Sequence, residues 1–330
     1  MVRLSLAALL PGMKGALAHF ERFSERPPAI VALILAGNTP LMSWSPLAAC
    51  LLAGHDVRVK MSRHETLWPS LFRDAIAEFD PALAARITLD AWAGDDPRTT
   101  ELITAADAVI AFGSDATLTA IRAQTPYGIP FFGFGHGISI GFVSGDAAAD
   151  AGRFAQDILM YGQSGCLSPQ IIFVVEDARG RASEVAATLA QSLAREVDAF
   201  GITTVIDPAS ARSVREARDM ALFDGAGVTA DAGLRWTIIV CAAGQNLPDS
   251  VGHGVITLLP VRDAASILAF LGASRAWISS VGIAGTLPED VRSALAADGV
   301  SRFCPAGEMQ TPPLDWPNGK IDLFAALREL

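Results

Sequence analysis

Short apolar runs and longer stretches of helical spacing alternate along this chain. Residues 30–36, 109–112, 130–134 and 138–143 are apolar runs of strand length, and residues 56–61 and 87–91 add two more strands. Between them, residues 41–53, 65–79, 99–106 and 115–124 carry the spacing of amphipathic helices, the first stopped by Gly54. Strand and helix alternating at this pace predicts βαβ units and a parallel, doubly wound sheet.

Near Asp146 the rhythm changes. A longer helix is expected to about Tyr161, then a loop over 163–169 and a strand over 170–175 that opens a second α/β region. That region continues with a helix at 182–200, strands at 236–242 and 255–261, a helix at 264–271 and a strand at 276–281. Residues 303–319, rich in Pro and Gly, lead to a last helix at 321–330. The expected organisation is therefore a first α/β domain over 1–144, a second over 145–302, and a C-terminal segment over 303–330. The Ser/Leu/Ala-rich stretch before residue 27 reads as an amphipathic helix rather than a signal peptide, because Pro11 and Lys14 break its apolar run.

Composition narrows the function classes. Hydrophobic residues are 51% and charged residues 18%, which suits a well-buried α/β enzyme and excludes disorder. A net charge of −10 without a basic stripe argues against nucleic acid. No apolar run reaches the roughly 18 residues a membrane span needs, so no stable membrane insertion and a cytoplasmic location are expected. Cys50, Cys166, Cys241 and Cys304 have neither CxxC nor Cys/His spacing, so free thiols are expected and no metal site or disulfide framework.

Two glycine-bearing stretches invite a nucleotide. Gly133-Phe-Gly135-His-Gly137 misses the G-x-G-x-x-G spacing and no helix follows it, so it reads equally as a tight crossing between strands. Phe112-Gly113-Ser114-Asp115 stands at a strand-to-helix junction, where open N–H groups suit a phosphate, although an ordinary turn with Ser114 or Asp115 as N-cap explains it too. Lys60, at a strand end, could bond a ribose or 2′-phosphate, or be a plain strand-end lysine.

Cys166 is the candidate nucleophile. It lies in a polar, glycine-flanked loop, Tyr161-Gly-Gln-Ser-Gly-Cys-Leu-Ser-Pro-Gln170, whereas Cys50 and Cys241 sit among apolar neighbours. Gly165 lets the backbone expose the sulfur, and the approach to the next element is expected to lower its pKa. Asn38, in the turn fixed by Thr39-Pro40, can donate to an oxyanion or be an ordinary turn asparagine. Of the histidines, His19, His55, His64 and His253 read as surface or turn residues. His136, among glycines, is the one candidate for an acid or a cofactor contact.

Gly37-Asn38-Thr39-Pro40, Lys60-Met-Ser62, Phe112-Gly113-Ser114 and Gly162-Gln163-Ser-Gly-Cys166-Leu-Ser-Pro-Gln170 follow one another in an order that resembles the aldehyde dehydrogenase superfamily. Cys166-Leu-Ser-Pro-Gln170, Thr257-Leu-Leu-Pro-Val261, Ser279-Ser-Val-Gly-Ile283 and Cys304-Pro-Ala-Gly-Glu308-Met-Gln-Thr-Pro-Pro313-Leu-Asp-Trp316 point to its acyl-CoA reductase (LuxC-type) branch. The resemblance runs from about residue 30 to the end. It implies two α/β domains, one for a nicotinamide cofactor, usually NADP(H), and one for catalysis. It also implies an acyl-CoA or acyl-carrier thioester as substrate and a homo-oligomer. By position it makes Cys166 the nucleophile and Asn38 an oxyanion donor, with Lys60 at the adenosine ribose and Gly113 and Ser114 at the pyrophosphate or nicotinamide.

The departures from the superfamily pattern are informative. The glutamate that activates water in oxidising members has no counterpart in Gly133–Gly137, which favours acyl transfer to or from a thiol over hydrolysis. Ser250-Val-Gly-His-Gly254 stands where a ribose-binding Glu-x-Phe-Gly-Pro element is usual. Roughly the first hundred residues of a typical member have no counterpart. An NAD(P)-dependent aldehyde dehydrogenase, and a non-catalytic or acyl-transferring relative, remain alternatives to the reductase.

Overall fold

Residues 30–34 are apolar throughout because their strand is covered on both faces. The computed structural model describes residues 27–37, 43–176, 180–202, 206–242, 250–313 and 315–330. The chain divides into two units, one of residues up to 136 together with 313–330, the other of residues 137–312. The sequence reading set its boundaries at 144 and 302. The strand at 138–143 falls in the second unit, and residues 313–330 fall with the first.

In the first unit β1 (Ile30–Ile34) is followed by α1 (Trp44–Leu52), β2 (Asp56–Met61), α2 (Leu67–Ala77), α3 (Pro81–Ala84), β3 (Ile87–Ala91), α4 (Arg98–Thr104), β4 (Ala108–Phe112), α5 (Asp115–Gln124) and β5 (Phe131–Phe134). All five strands are parallel in the order β3-β2-β1-β4-β5. On β1, Val31 and Leu33 join one apolar cluster with Val57, Val59 and Ile110, while Ala32 and Ile34 join another with Val109 and Ala111. The order reverses between β1 and β4, so the carboxyl ends of these neighbours make the topological switch point where such sheets bind ligands. His55, read as a surface or turn residue, is instead buried. Its Nδ1 accepts the Ala29 N–H at 3.2 Å and its Nε2 bonds the Leu327 carbonyl at 2.7 Å, which ties the C-terminal helix Leu323–Arg328 to this unit.

The second unit contains β6 (Ile138–Val143), α6 (Ala148–Ala151), α7 (Phe154–Leu159), β7 (Pro169–Val175), α8 (Arg181–Ala199), α9 (Pro208–Phe223), β8 (Gly227–Ala230), β9 (Thr237–Val240), β10 (Val255–Val261), α10 (Ala265–Leu271), β11 (Ile278–Ala284), α11 (Glu289–Ala297) and β12 (Arg302–Pro305). Its sheet runs β12-β11-β6-β7-β10-β9-β8, parallel except for the β8–β9 pair. Along β7, Ile172 and Val174 pack with Val185, Leu189 and Leu193 of α8, while Phe173 packs on the other face with Ile239 and Leu259. Burial on both faces explains the unbroken apolar run.

Five elements escaped the sequence reading: α3, α9, β8, α11 and β12. Helix α9 buries only Val214, Ala217 and Ala221, and α11 only Val291 and Leu295, too few apolar positions to show a period. The start of α9 was legible as a cap, since Asp207 accepts the N–H groups of Ala209 and Ser210 ahead of Pro208. The single long helix expected to Tyr161 is broken. It ends at Leu159, and Tyr161, Gly162 and Gln163 are all left-handed, with φ of 56°, 60° and 63°. Among the described residues no helix is long and apolar enough to cross a membrane.

Candidate active site

Cys166 sits in a turn just ahead of β7, at the amino-terminal edge of the second unit's sheet, and its side chain is half-buried. Left-handed backbone at the non-glycine residues Tyr161 and Gln163 costs about 1–3 kcal/mol each and persists only where surroundings enforce it. Here Gln163 supplies part of the enforcement. Its buried side-chain amide donates to the carbonyls of Pro169 and Val255, both at 2.9 Å, and so fixes the approach to Cys166 against β7 and β10. The turn is closed by the Ser168 N–H on the Gly165 carbonyl at 3.0 Å.

Serines from two distant strands line this turn. Ser139, on β6, donates to the Cys166 carbonyl at 2.6 Å, and its oxygen lies 2.8 Å from that of Ser280 on β11. The Ser279 hydroxyl, on β11, converges with the Cys166 side chain beside Gly137. A Cβ added at Gly137 would stand 2.1 Å from the Ser279 hydroxyl and 3.6 Å from the Cys166 Cβ, so glycine there makes the space that hydroxyl occupies. Burial pushes the Cys166 thiol up, and its own backbone N–H and the Ser279 hydroxyl pull it partly down again. The net shift is upward, opposite to the sequence expectation, because burial outweighs both.

A buried carboxylate and the segment it binds hold the turn as well. The fully buried Asp157 carboxylate accepts the Gly307 N–H at 2.6 Å and the Met309 N–H at 2.9 Å. The Arg302 guanidinium donates to the carbonyls of Glu308 and Met309, holding the same segment by its acceptors. Gln310 next to it donates to the Asp157 carbonyl at 2.9 Å and to the Ser168 hydroxyl at 3.0 Å. The segment Ser250–Gly254 also touches the turn. Its Ser250 hydroxyl bonds Gln170, and its His253 N–H donates to the Gly162 carbonyl at 3.2 Å.

The remaining candidates lie in the first unit, apart from Asn38, which is outside the described residues. Gly113 and Ser114 follow β4 at the switch point. Ser114 is exposed and caps α5, accepting the Thr117 N–H at 3.3 Å. A Cβ at Gly113 would stand 3.0 Å from the Thr117 methyl, so packing alone already favours glycine. Lys60 ends β2 and is buried, and burial, with the charge of Arg63, holds its ammonium below the usual lysine range. A helix N-terminus after β4 and a lysine on β2, two strands of the same sheet with β1 between them, suit an anionic group such as a pyrophosphate. His136 is exposed and closes the first unit. The Gly133–Gly137 stretch spans two sheets, since β5 and β6 belong to different ones.

A parallel sheet with a switch point, and a second sheet with a cysteine turn at its edge, define a protein of the aldehyde dehydrogenase fold. Solved structures agree. The chain is 17% identical to a protein described as an aldehyde dehydrogenase, PutA, from Anabaena variabilis, with a TM-score of 0.69 over 98% of this chain and 78% of that one. The aldehyde dehydrogenase KauB from Pseudomonas aeruginosa is 16% identical, with a TM-score of 0.65 over 85% of this chain and 61% of its own length. An NADP-dependent glyceraldehyde-3-phosphate dehydrogenase from Bacillus halodurans, solved with NADP, is 18% identical, with a TM-score of 0.61 over 84% and 61%. The chain thus spans about three fifths of the latter two. No curated protein matches it significantly. The acyl-CoA reductase (LuxC) family model matches residues 16–318, and the chain belongs to that family.

Proposed function

We propose that this protein reduces an acyl thioester, carried by coenzyme A or a carrier protein, to the aldehyde through an acyl-Cys166 intermediate. Family membership supports an oxidoreductase acting on acyl or aldehyde groups. The observation that carries the finer reading is the Cys166 turn, a half-buried thiol beside the Ser279 hydroxyl, with the Cys166 carbonyl held by Ser139.

In this reading the Cys166 thiolate attacks the thioester carbonyl and the oxyanion is met by the Cys166 N–H and Asn38. Coenzyme A departs as a thiolate, so little general acid is required, and His136 is proposed as an acid or a cofactor contact. The cofactor proposed is NADP(H), with Lys60, Gly113 and Ser114 as its holding residues, and when bound it supplies the hydride. No carboxylate stands in Gly133–Gly137 to activate water, which supports reduction over oxidative hydrolysis.

Incubation with a long-chain acyl-CoA and NADPH should consume NADPH and release aldehyde, and intact-mass spectrometry should find the acyl group on Cys166. Cys166→Ser should abolish both. Turnover surviving that substitution refutes the mechanism, and steady oxidation of an aldehyde to free acid without coenzyme A would assign an aldehyde dehydrogenase instead. Absence of any nicotinamide binding in a thermal-shift assay would favour a non-catalytic relative.

A further inference from the structure

We infer that Ser279 is a catalytic residue of this site, donating its hydroxyl hydrogen to the Cys166 sulfur when that sulfur is a thiolate. The inference rests on Cys166 being the nucleophile, and it deepens that reading by naming what holds the charge.

The register of the sheet explains why this serine is available. In the pairing of β11 with β6, Ile278 faces Ile138 and Ser280 faces Ser139, so Ser279 is the extra residue of a bulge. A bulged residue is left out of the ladder and its side chain is re-aimed. Gly137, immediately before β6, leaves room for that hydroxyl, since any Cβ there would collide with it at 2.1 Å. The Cys166 Cβ lies 3.6 Å from the same point, so the hydroxyl and the cysteine side chain converge on one small space.

The other two serines are already engaged. Ser139 donates to the Cys166 carbonyl, so the Ser280 hydroxyl donates to Ser139, and that chain ends on backbone. Ser279 is the one of the three whose hydroxyl converges with the Cys166 side chain beside Gly137. Among the described residues, the groups that lower the Cys166 thiol's pKa are its own N–H and this hydroxyl, not a histidine or a lysine. A hydroxyl donor favours the charged form of a thiol and offsets part of the burial that disfavours it. It serves both halves of the chemistry: thiolate formed before attack on the acyl carbon, and thiolate released when the carbon–sulfur bond breaks.

The test is the pH dependence of Cys166 alkylation by iodoacetamide, followed by mass spectrometry of the Cys166 peptide. It needs neither substrate nor cofactor, so it can fail or succeed independently of the reductase reading. Ser279→Ala should move the midpoint up by about one pH unit and slow alkylation about tenfold at neutral pH, with rates converging at high pH, where every variant is thiolate. Ser279→Thr, which keeps the hydroxyl, should hold the midpoint near wild type. Gly137→Ala, which displaces the hydroxyl without deleting it, should raise the midpoint as Ser279→Ala does and serves where that variant fails to fold. A midpoint unchanged in both Ser279→Ala and Gly137→Ala overturns the inference. So does a rate lowered equally at every pH, since that reports altered access rather than altered acidity.

Discussion

Asp157 should make the stability of the second unit pH-dependent in a way one substitution can isolate. Its carboxyl is fully buried, and burial pushes its pKa up from 3.8 to about 6 against the opposing pull of the Gly307 and Met309 N–H groups and of Arg302. A folded-state pKa above the unfolded value means that the folded chain binds the proton more tightly. The stability linked to this group is therefore fully present below about pH 4 and is lost as pH rises through about 6. A shift of about 2 units corresponds to about 3 kcal/mol. Asp157→Asn keeps the shape and one acceptor oxygen but removes the titration. At neutral pH two effects oppose: release of the burial cost, up to ~3 kcal/mol, and an amide NH₂ turned toward a backbone N–H, costing ~1–3 kcal/mol. The variant should thus unfold close to wild type near pH 7. It should be the less stable of the two near pH 4, where wild type carries the protonated acid. Urea unfolding of both proteins across this range measures the difference in slope. If the variant keeps the full wild-type pH dependence, Asp157 is ionised throughout and its two N–H donors and Arg302 outweigh burial.

Three further outcomes follow from the same geometry. Gln163→Leu should cost about 2–4 kcal/mol, because it strands the Pro169 and Val255 carbonyls, and should slow Cys166 alkylation by loosening its turn; denaturant unfolding and peptide-mapped labelling check both. Gly282→Ala should cost about 1–3 kcal/mol in the same unfolding assay, since its Cβ would meet the Met309 sulfur at 2.5 Å and Phe154 at 2.7 Å, both buried. A disulfide reagent should titrate one accessible thiol in the native protein, because Cys50, Cys241 and Cys304 are buried, with the Cys304 thiol pushed up to about 11. The rate at Cys166 should rise through the alkaline range, the thiol being raised by burial, and a plateau reached by about pH 7 would contradict that sign.

What could be read from the chain divides along physical lines. Strands covered on both faces, such as β1, β7 and β10, announce themselves by apolar runs, and β7 was placed to within one residue. Helices α9 and α11 did not, because a helix that buries two or three small or branched side chains leaves a sequence that looks like loop. Cys166 stood out because glycine and polar residues surround it, an unusual setting for a thiol. Its acidity could not be read the same way, since burial is a property of what packs against the turn.

The partners of Cys166 were hidden for a different reason. Ser139 and Ser280 are 141 residues apart, and Gln310 reaches back 142 residues to Ser168. Those meetings depend on which strands neighbour β6 and on a register shift beside Ser279, neither of which leaves a local pattern. The signal available was indirect: Ser279-Ser-Val-Gly-Ile283 and the Cys304–Trp316 run stood out only as ordered pieces of a family resemblance. Their placement turns that order into chemistry. The first sets the Ser279 hydroxyl beside the Cys166 side chain, and the second, through Asp157 and Gln310, holds the turn that carries Cys166. The proposed nucleophile, beside a bulge residue and on a turn held by a buried acid, should respond to Ser279 in its pH midpoint. It should respond to Asp157 in its stability, and that separation of effects is the property on which the argument can fail.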